Sequence, residues 1–224
     1  MSTQQSQAGI SKKSIAIALV VVSILGSVAL AAAMAQVNAN SKPSTQAFQD
    51  QMRKLWEDHI TWTRLVIVSI ANGLPDTGAT VNRLLQNQVD IGNAIKPFYG
   101  DDAGNQLTSL LHDHITIAAE ILVDAKGTNM TALNDAIARW YANANSIAEF
   151  LHNANPKSWS LIMTQTMMKT HLDLTLNEAV TYLKGDYNGS VQAYEGVHIQ
   201  ILQMADMLSI GIIAQFPHDF TGTH

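Results

Sequence analysis

The chain contains no cysteine. Disulfides, thiolate metal sites and a cysteine nucleophile are therefore excluded, and any metal would be held by nitrogen, oxygen or thioether donors. Charge is sparse as well: 14% of the 224 residues are Asp, Glu, Lys or Arg, and the net charge is −5. A nucleic-acid surface needs a clustered basic patch, and none occurs. Prolines are few and all of them punctuate, with Pro43, Pro75, Pro97, Pro156 and Pro217 falling between periodic apolar segments. No convincing strand is present. The β-branched run Val66 to Ile70 continues the helical period of the residues before it.

What the sequence has instead is an apolar stretch from Ser14 to Ala35 without a single charge, preceded by Lys12 and Lys13. About 20 apolar residues suffice to cross a bilayer as a helix. The flanking lysines place residues 1–13 in the cytoplasm and the bulk of the chain outside. Ala33-Met34-Ala35 before Gln36 also has the small-x-small form of a signal-peptide cleavage site. Residues 14–36 are thus a membrane anchor or a signal peptide, and either one exports the rest. An anchor would make the membrane a partner; a cleaved signal would release the domain.

After a polar linker (37–44), glycine, proline and asparagine divide residues 45–217 into six helical segments, followed by a tail (218–224). The segments run from about Thr45 to Asn72, Thr77 to Lys96, Asp102 to Lys126 and Thr131 to Asn153, then from just after Asn155-Pro156 to Lys184 and from Asn188 to Gln215. The fold class is therefore all-α: an elongated antiparallel bundle of about six helices. The first, third, fifth and sixth segments are the four long core helices, and the second and fourth serve as buttresses. Sequons at Asn129 and Asn188 could carry glycans in an exported chain.

Each of the four long segments has a histidine near its middle: His59, His114, His171 and His198, every one followed by Ile or Leu or, for His198, by Ile199. Each occupies a stripe position where a hydrophobe is expected, as in Phe48, Met52, Leu55, His59, Trp62, Val66, Ile70. In an up-and-down bundle the helix midpoints meet at one level. An unpaired buried polar group costs about 1–3 kcal/mol, so such a ring calls for compensation, and a transition metal is the sharpest form of it. The competing expectation is a set of core histidines bonded to nearby carbonyls or hydroxyls.

Carboxylates accompany the ring. Glu195 stands three residues before His198, the helical Glu-x-x-His spacing that di-iron bundles use twice, but here it occurs once. Glu178 lies two turns beyond His171 on the same stripe. Methionines at 52, 163, 167, 204 and 207 add thioethers, which suit copper, although methionine is also a flexible core filler. Copper is level with iron or manganese, and zinc trails. Trp56 and Trp62 flank His59, while the amide-rich set Asn87, Gln88, Asp90 and Asn93 is expected to form a solvated face, the alternative being the lining of a polar pocket.

The stretches LWEDHITWTR (55–64), LLQNQVDIGNAIKPFYG (84–100), HLDLT (171–175) and MADMLSIGIIAQFP (204–217) resemble a widespread family of uncharacterised helical proteins from bacteria and archaea. Its members often carry glycosyltransferase or acetylglutamate kinase labels. The resemblance implies an all-helical fold and transfers no catalytic residue. The labels do not suit these residues: there is no strand-helix alternation, no glycine-rich phosphate loop and no Asp-x-Asp after a strand. The expected function is an extracytoplasmic, membrane-tethered helical bundle binding a transition metal through the mid-helix histidines for capture, storage, delivery or redox use. The alternative is a non-catalytic structural or interaction subunit of a cell-surface or membrane protein complex, its core histidines hydrogen-bonded, with a membrane-complex or homo-oligomeric partner.

Overall fold

The computed structural model describes residues 42–127 and 129–222. The stretch assigned above to an anchor or signal peptide lies outside the described residues. Among the described residues the chain forms five α-helices and no strand: α1 (Thr45–Asn72), α2 (Thr77–Gly127), α3 (Met130–Ala154), α4 (Leu161–Leu183) and α5 (Tyr187–Gln215).

Local chemistry sets the helix ends. Ser44, Asn129, Ser160 and Asp186 each accept a hydrogen bond from a backbone N–H in the first turn of the helix they open. Gly73 closes α1 in the left-handed conformation, and Leu74 N–H donates to Ser69 O (2.9 Å) to complete the cap.

Two of the six expected segments are one element. Helix α2 folds back at Gly100 (φ 84, ψ 170), a conformation open only to glycine, giving arms 77–99 and 101–127. Pro97 lies just before the break. The arms then run backbone against backbone. A Cβ at Gly92 would lie 2.6 Å from Gly104 O, and one at Gly104 would lie 2.7 Å from Gly92 O.

Each helix packs on the next and α5 returns to α1, so the described helices close on themselves. The fourth segment, α3, is not a buttress: Trp140, Ala144, Ile147 and Ala148 are all core residues, because its apolar stripe fills the gap between α2 and α4. The residues after α5 also belong to the fold. Phe220 is buried and stacks on Phe98 (5.2 Å), and Thr221 N–H donates to Pro43 O (3.0 Å), tying the chain end to the start of α1. Helix α5 is long and apolar enough to cross a membrane, and half of its most apolar window is buried inside the bundle, as a core helix requires.

Candidate functional site

His59, His114 and His171 come from α1, the second arm of α2, and α4. Their solvent exposures are 3%, 3% and 4%. All three line one cavity of about 20 Å³, together with Thr63, Thr175 and Glu178. That volume suits one water molecule or one ion. The His59 and His171 rings are 5.8 Å apart, centroid to centroid. Trp140 stacks on His114 at 5.1 Å, and Trp56 meets His59 edge-on at 5.8 Å. Trp62 instead sits beneath the Arg83 guanidinium.

Side-chain amides orient the rings. Asn143 Nδ2 donates to Leu110 O (3.0 Å), which turns its Oδ1 toward His114 Nδ1 at 2.9 Å. An amide oxygen only accepts, so His114 Nδ1 carries the hydrogen and Nε2 keeps its lone pair. Gln200 repeats the device: its Nε2 donates to Met167 O (3.3 Å), and His171 Nδ1 donates to its Oε1 (3.0 Å). No hydrogen bond engages Nε2 of any of the three histidines among the described residues. His59 differs. Asn87 Nδ2 donates to Leu55 O (3.0 Å), but Gln88 Nε2 faces His59 Nδ1 at 3.3 Å, so there Nδ1 accepts and the hydrogen sits on Nε2.

Charge follows from burial. Desolvation holds His59 well below the ordinary imidazole range, with His171 and His114 adding to the effect. It pushes His114 down to about 3, helped by His171 and opposed by Asn143, and His171 down to about 4, opposed by Gln200. The three rings are therefore neutral at neutral pH, the state in which imidazole can ligate a metal. Glu178, 1% exposed, is pushed up to about 7 by burial, although Arg64 donates to it at 3.1 Å. Arg64 also donates to Ser190 Oγ and lies 5.0 Å from the centroid of the Tyr182 ring. Thr175 Oγ1 is buried with no hydrogen-bond partner among the described residues.

The other two residues expected at the site lie elsewhere. His198 is part-exposed and its Nε2 is 3.0 Å from Glu57 Oε1 at the surface. Glu195 is exposed. Val191, Tyr194 and His198 have the three-and-four spacing of a stripe, but the buried face of α5 runs instead through Ala193, Val197, Gln200, Ile201 and Met204. Successive helical residues are 100° apart, so His198, next to buried Val197, is turned away from the cavity.

The amides that hold the rings carry no stripe signal of their own in the sequence. Asn87 and Gln88, expected on a solvated face, are fully buried. Each histidine is paired with an amide 29 residues later: His59 with Gln88, His114 with Asn143, His171 with Gln200. In all three cases an amide (Asn87, Asn143 or Gln200) also bonds the carbonyl one turn before the histidine. Five residues beyond those amides stand Gly92, Ala148 and Ala205, all buried. The described bundle is thus three like-built helical hairpins, each with its histidine on the first helix and its amide on the second. His198 sits on a second helix, outside this scheme.

Among the described residues no group of three or more His, Asp or Glu side chains stands arranged to hold a metal ion as placed. Comparison with protein-family models, with curated proteins and with solved structures finds no match to this chain.

Proposed function

We propose that this chain is an extracytoplasmic helical bundle, delivered by its N-terminal apolar stretch, that takes up one divalent transition-metal ion between His59, His114 and His171. The observation that carries the reading is the orientation of two rings: Asn143 and Gln200 turn the Nε2 lone pairs of His114 and His171 away from their amide partners, with no hydrogen bond to them among the described residues, at a shared cavity. Amide support of this kind fixes the tautomer and direction of a ligating imidazole. Imidazole suits copper, iron, nickel and zinc, and Glu178 on the cavity wall adds a carboxylate that an incoming cation would ionise.

Binding requires two adjustments. The rings must draw inward, since no ready-made set of ligands stands among the described residues. His59 must also move its hydrogen from Nε2 to Nδ1, which requires the Gln88 amide to turn. Gln88 Oε1 is buried without a partner among the described residues, so that turn gives an orphaned acceptor a donor, at the expense of the Nε2 hydrogen bonds to Leu84 O (2.8 Å) and Asn87 Oδ1 (3.2 Å).

The deciding experiment is metal titration of the metal-depleted full chain with copper, iron, manganese and zinc, read by elemental analysis after gel filtration. One equivalent retained by the native protein, and lost in both His114→Leu and His171→Leu, is the expected result. Less than a tenth of an equivalent of every metal would overturn it. A second reading, a structural or interaction subunit with pre-tied core histidines, is favoured by the hydrogen bond that every Nδ1 already makes. It expects no metal, and loss of the fold in His114→Leu.

A further inference from the structure

The third hairpin differs from its two counterparts along one edge. An open groove of about 400 Å³ runs between α4 and α5, lined by Met163, Met167, Met204 and Met207 with Gln200 and Gln203. Met204 is buried, and the other three methionines are half-buried. Met163 and Met167 lie one turn apart on α4, as Met204 and Met207 do on α5, so both pairs share a face with their partner.

The like-built hairpins supply an internal comparison. Counted from the histidine, Met163 corresponds to Gln51 and Gln106, and Met167 to Leu55 and Leu110. Counted from the carbonyl-bonding amide, Met204 corresponds to Ile91 and Ile147, and Met207 to Ala94 and Phe150. Leucine, isoleucine, alanine, phenylalanine and glutamine serve these positions twice over, and only the third hairpin has methionine at all four. Met163, Met167 and Met207 pack against the main core on one side and border the open groove on the other, so core filling alone does not account for this choice.

We propose that this groove is a binding site for a soft monovalent metal ion of the copper(I) class, held by thioether sulfurs. Soft sulfur donors select such ions, and in a chain without cysteine the thioether is the only soft donor available. Methionine's three rotatable bonds let several sulfurs reach one ion from two helices. The step is ligation alone: the metal keeps its oxidation state and no bond within the protein is made or broken. Gln200 lines the groove and accepts from His171 Nδ1, so the thioether site backs onto the histidine cavity. The proposal does not rest on metal binding within that cavity.

Silver(I), which does not change oxidation state under these conditions, is the probe. The full chain carrying methyl-labelled methionine is titrated with one equivalent and observed by NMR. Of the nine methionines in the sequence, the methyls of 163, 167, 204 and 207 are expected to shift together and saturate. The triple variant Met163→Leu, Met167→Leu, Met207→Leu should retain native helicity and lose affinity at least tenfold. Single Met163→Leu and Met207→Leu changes, at half-buried positions, give the same readout with smaller losses if the triple variant fails to fold. No shift, shifts spread over methionines outside the groove, or native affinity in the variants would each overturn the proposal. Because the divalent-ion titration is read separately, either site can fail without the other.

Discussion

His171 donates from Nδ1 to Gln200 Oε1 at 3.0 Å, and the same glutamine returns a hydrogen bond to Met167 O, one turn before the histidine. The amide is thereby locked at both ends and the imidazole can present only one nitrogen to the cavity. Asn143 treats His114 identically. Replacing Gln200 or Asn143 by Leu should lower divalent-ion affinity by about 10- to 100-fold, while leaving an unpaired buried N–H that costs about 1–3 kcal/mol of stability. Competition titration measures the first effect and urea unfolding the second. Unchanged affinity in both variants would reduce the amides to packing.

Acid should unfold the metal-free protein early. The folded pKa of each buried histidine lies below its unfolded value near 6.5. Below pH 6.5 the unfolded chain therefore binds more protons than the fold, and stability drops as pH falls toward 4. Each group contributes about 1.4 kcal/mol per pH unit, so three together give up to about 4 kcal/mol per pH unit. Glu178 acts in the opposite sense: raised to about 7, it makes the fold hold the extra proton between pH 4.5 and 7, and it loses stability as pH rises there. The unfolding midpoint measured from pH 7.5 to 4.5 should slope steeply downward below 6.5. A flat profile would mean that the rings are already charged in the fold.

The arms of α2 meet through glycine backbone, and this contact should tolerate no side chain. Gly104→Ala puts a Cβ 2.7 Å from Gly92 O, and overpacking of this kind costs about 1–3 kcal/mol. Gly100→Ala, at φ 84 and ψ 170, carries a backbone penalty of similar size, about 1–3 kcal/mol. Thermal unfolding of the two variants tests both. A melting temperature equal to the native one in either would show that the hairpin rearranges freely.

His198→Leu serves as the counter-case. Its ring pairs with Glu57 at a part-exposed position, and such surface pairs contribute about 0–1 kcal/mol. Stability and metal stoichiometry should both match the native protein. Loss of bound metal in this variant would place His198 back among the ligands.

Much of the architecture was legible residue by residue. Gly73 and the Asn155-Pro156 step sit where helices end, because each has a backbone constraint that acts locally, whereas Pro97, expected to end a helix, lies inside α2 and the turn comes at Gly100. His59, His114 and His171 were recognisable for a similar reason, since a polar residue interrupts an otherwise apolar stripe on each helix. His198 shows the limit of that signal. On α5 apolar residues surround the helix so evenly that the buried face cannot be read from the pattern, and Val191, outwardly a stripe residue, is 54% exposed.

The sequence by itself determined that the chain is helical, where several of its helices end, as at Asn72 and Gln215, and that sulfur chemistry here is limited to thioethers. These depend on neighbours within a turn or two. Tertiary structure alone decided which histidines meet, that α3 belongs to the core, and that Asn87, Gln88, Asn143 and Gln200 face inward. Burial of an amide is settled by what packs against its helix from elsewhere in the chain. No local period encodes a partner 29 residues away until the hairpin has folded.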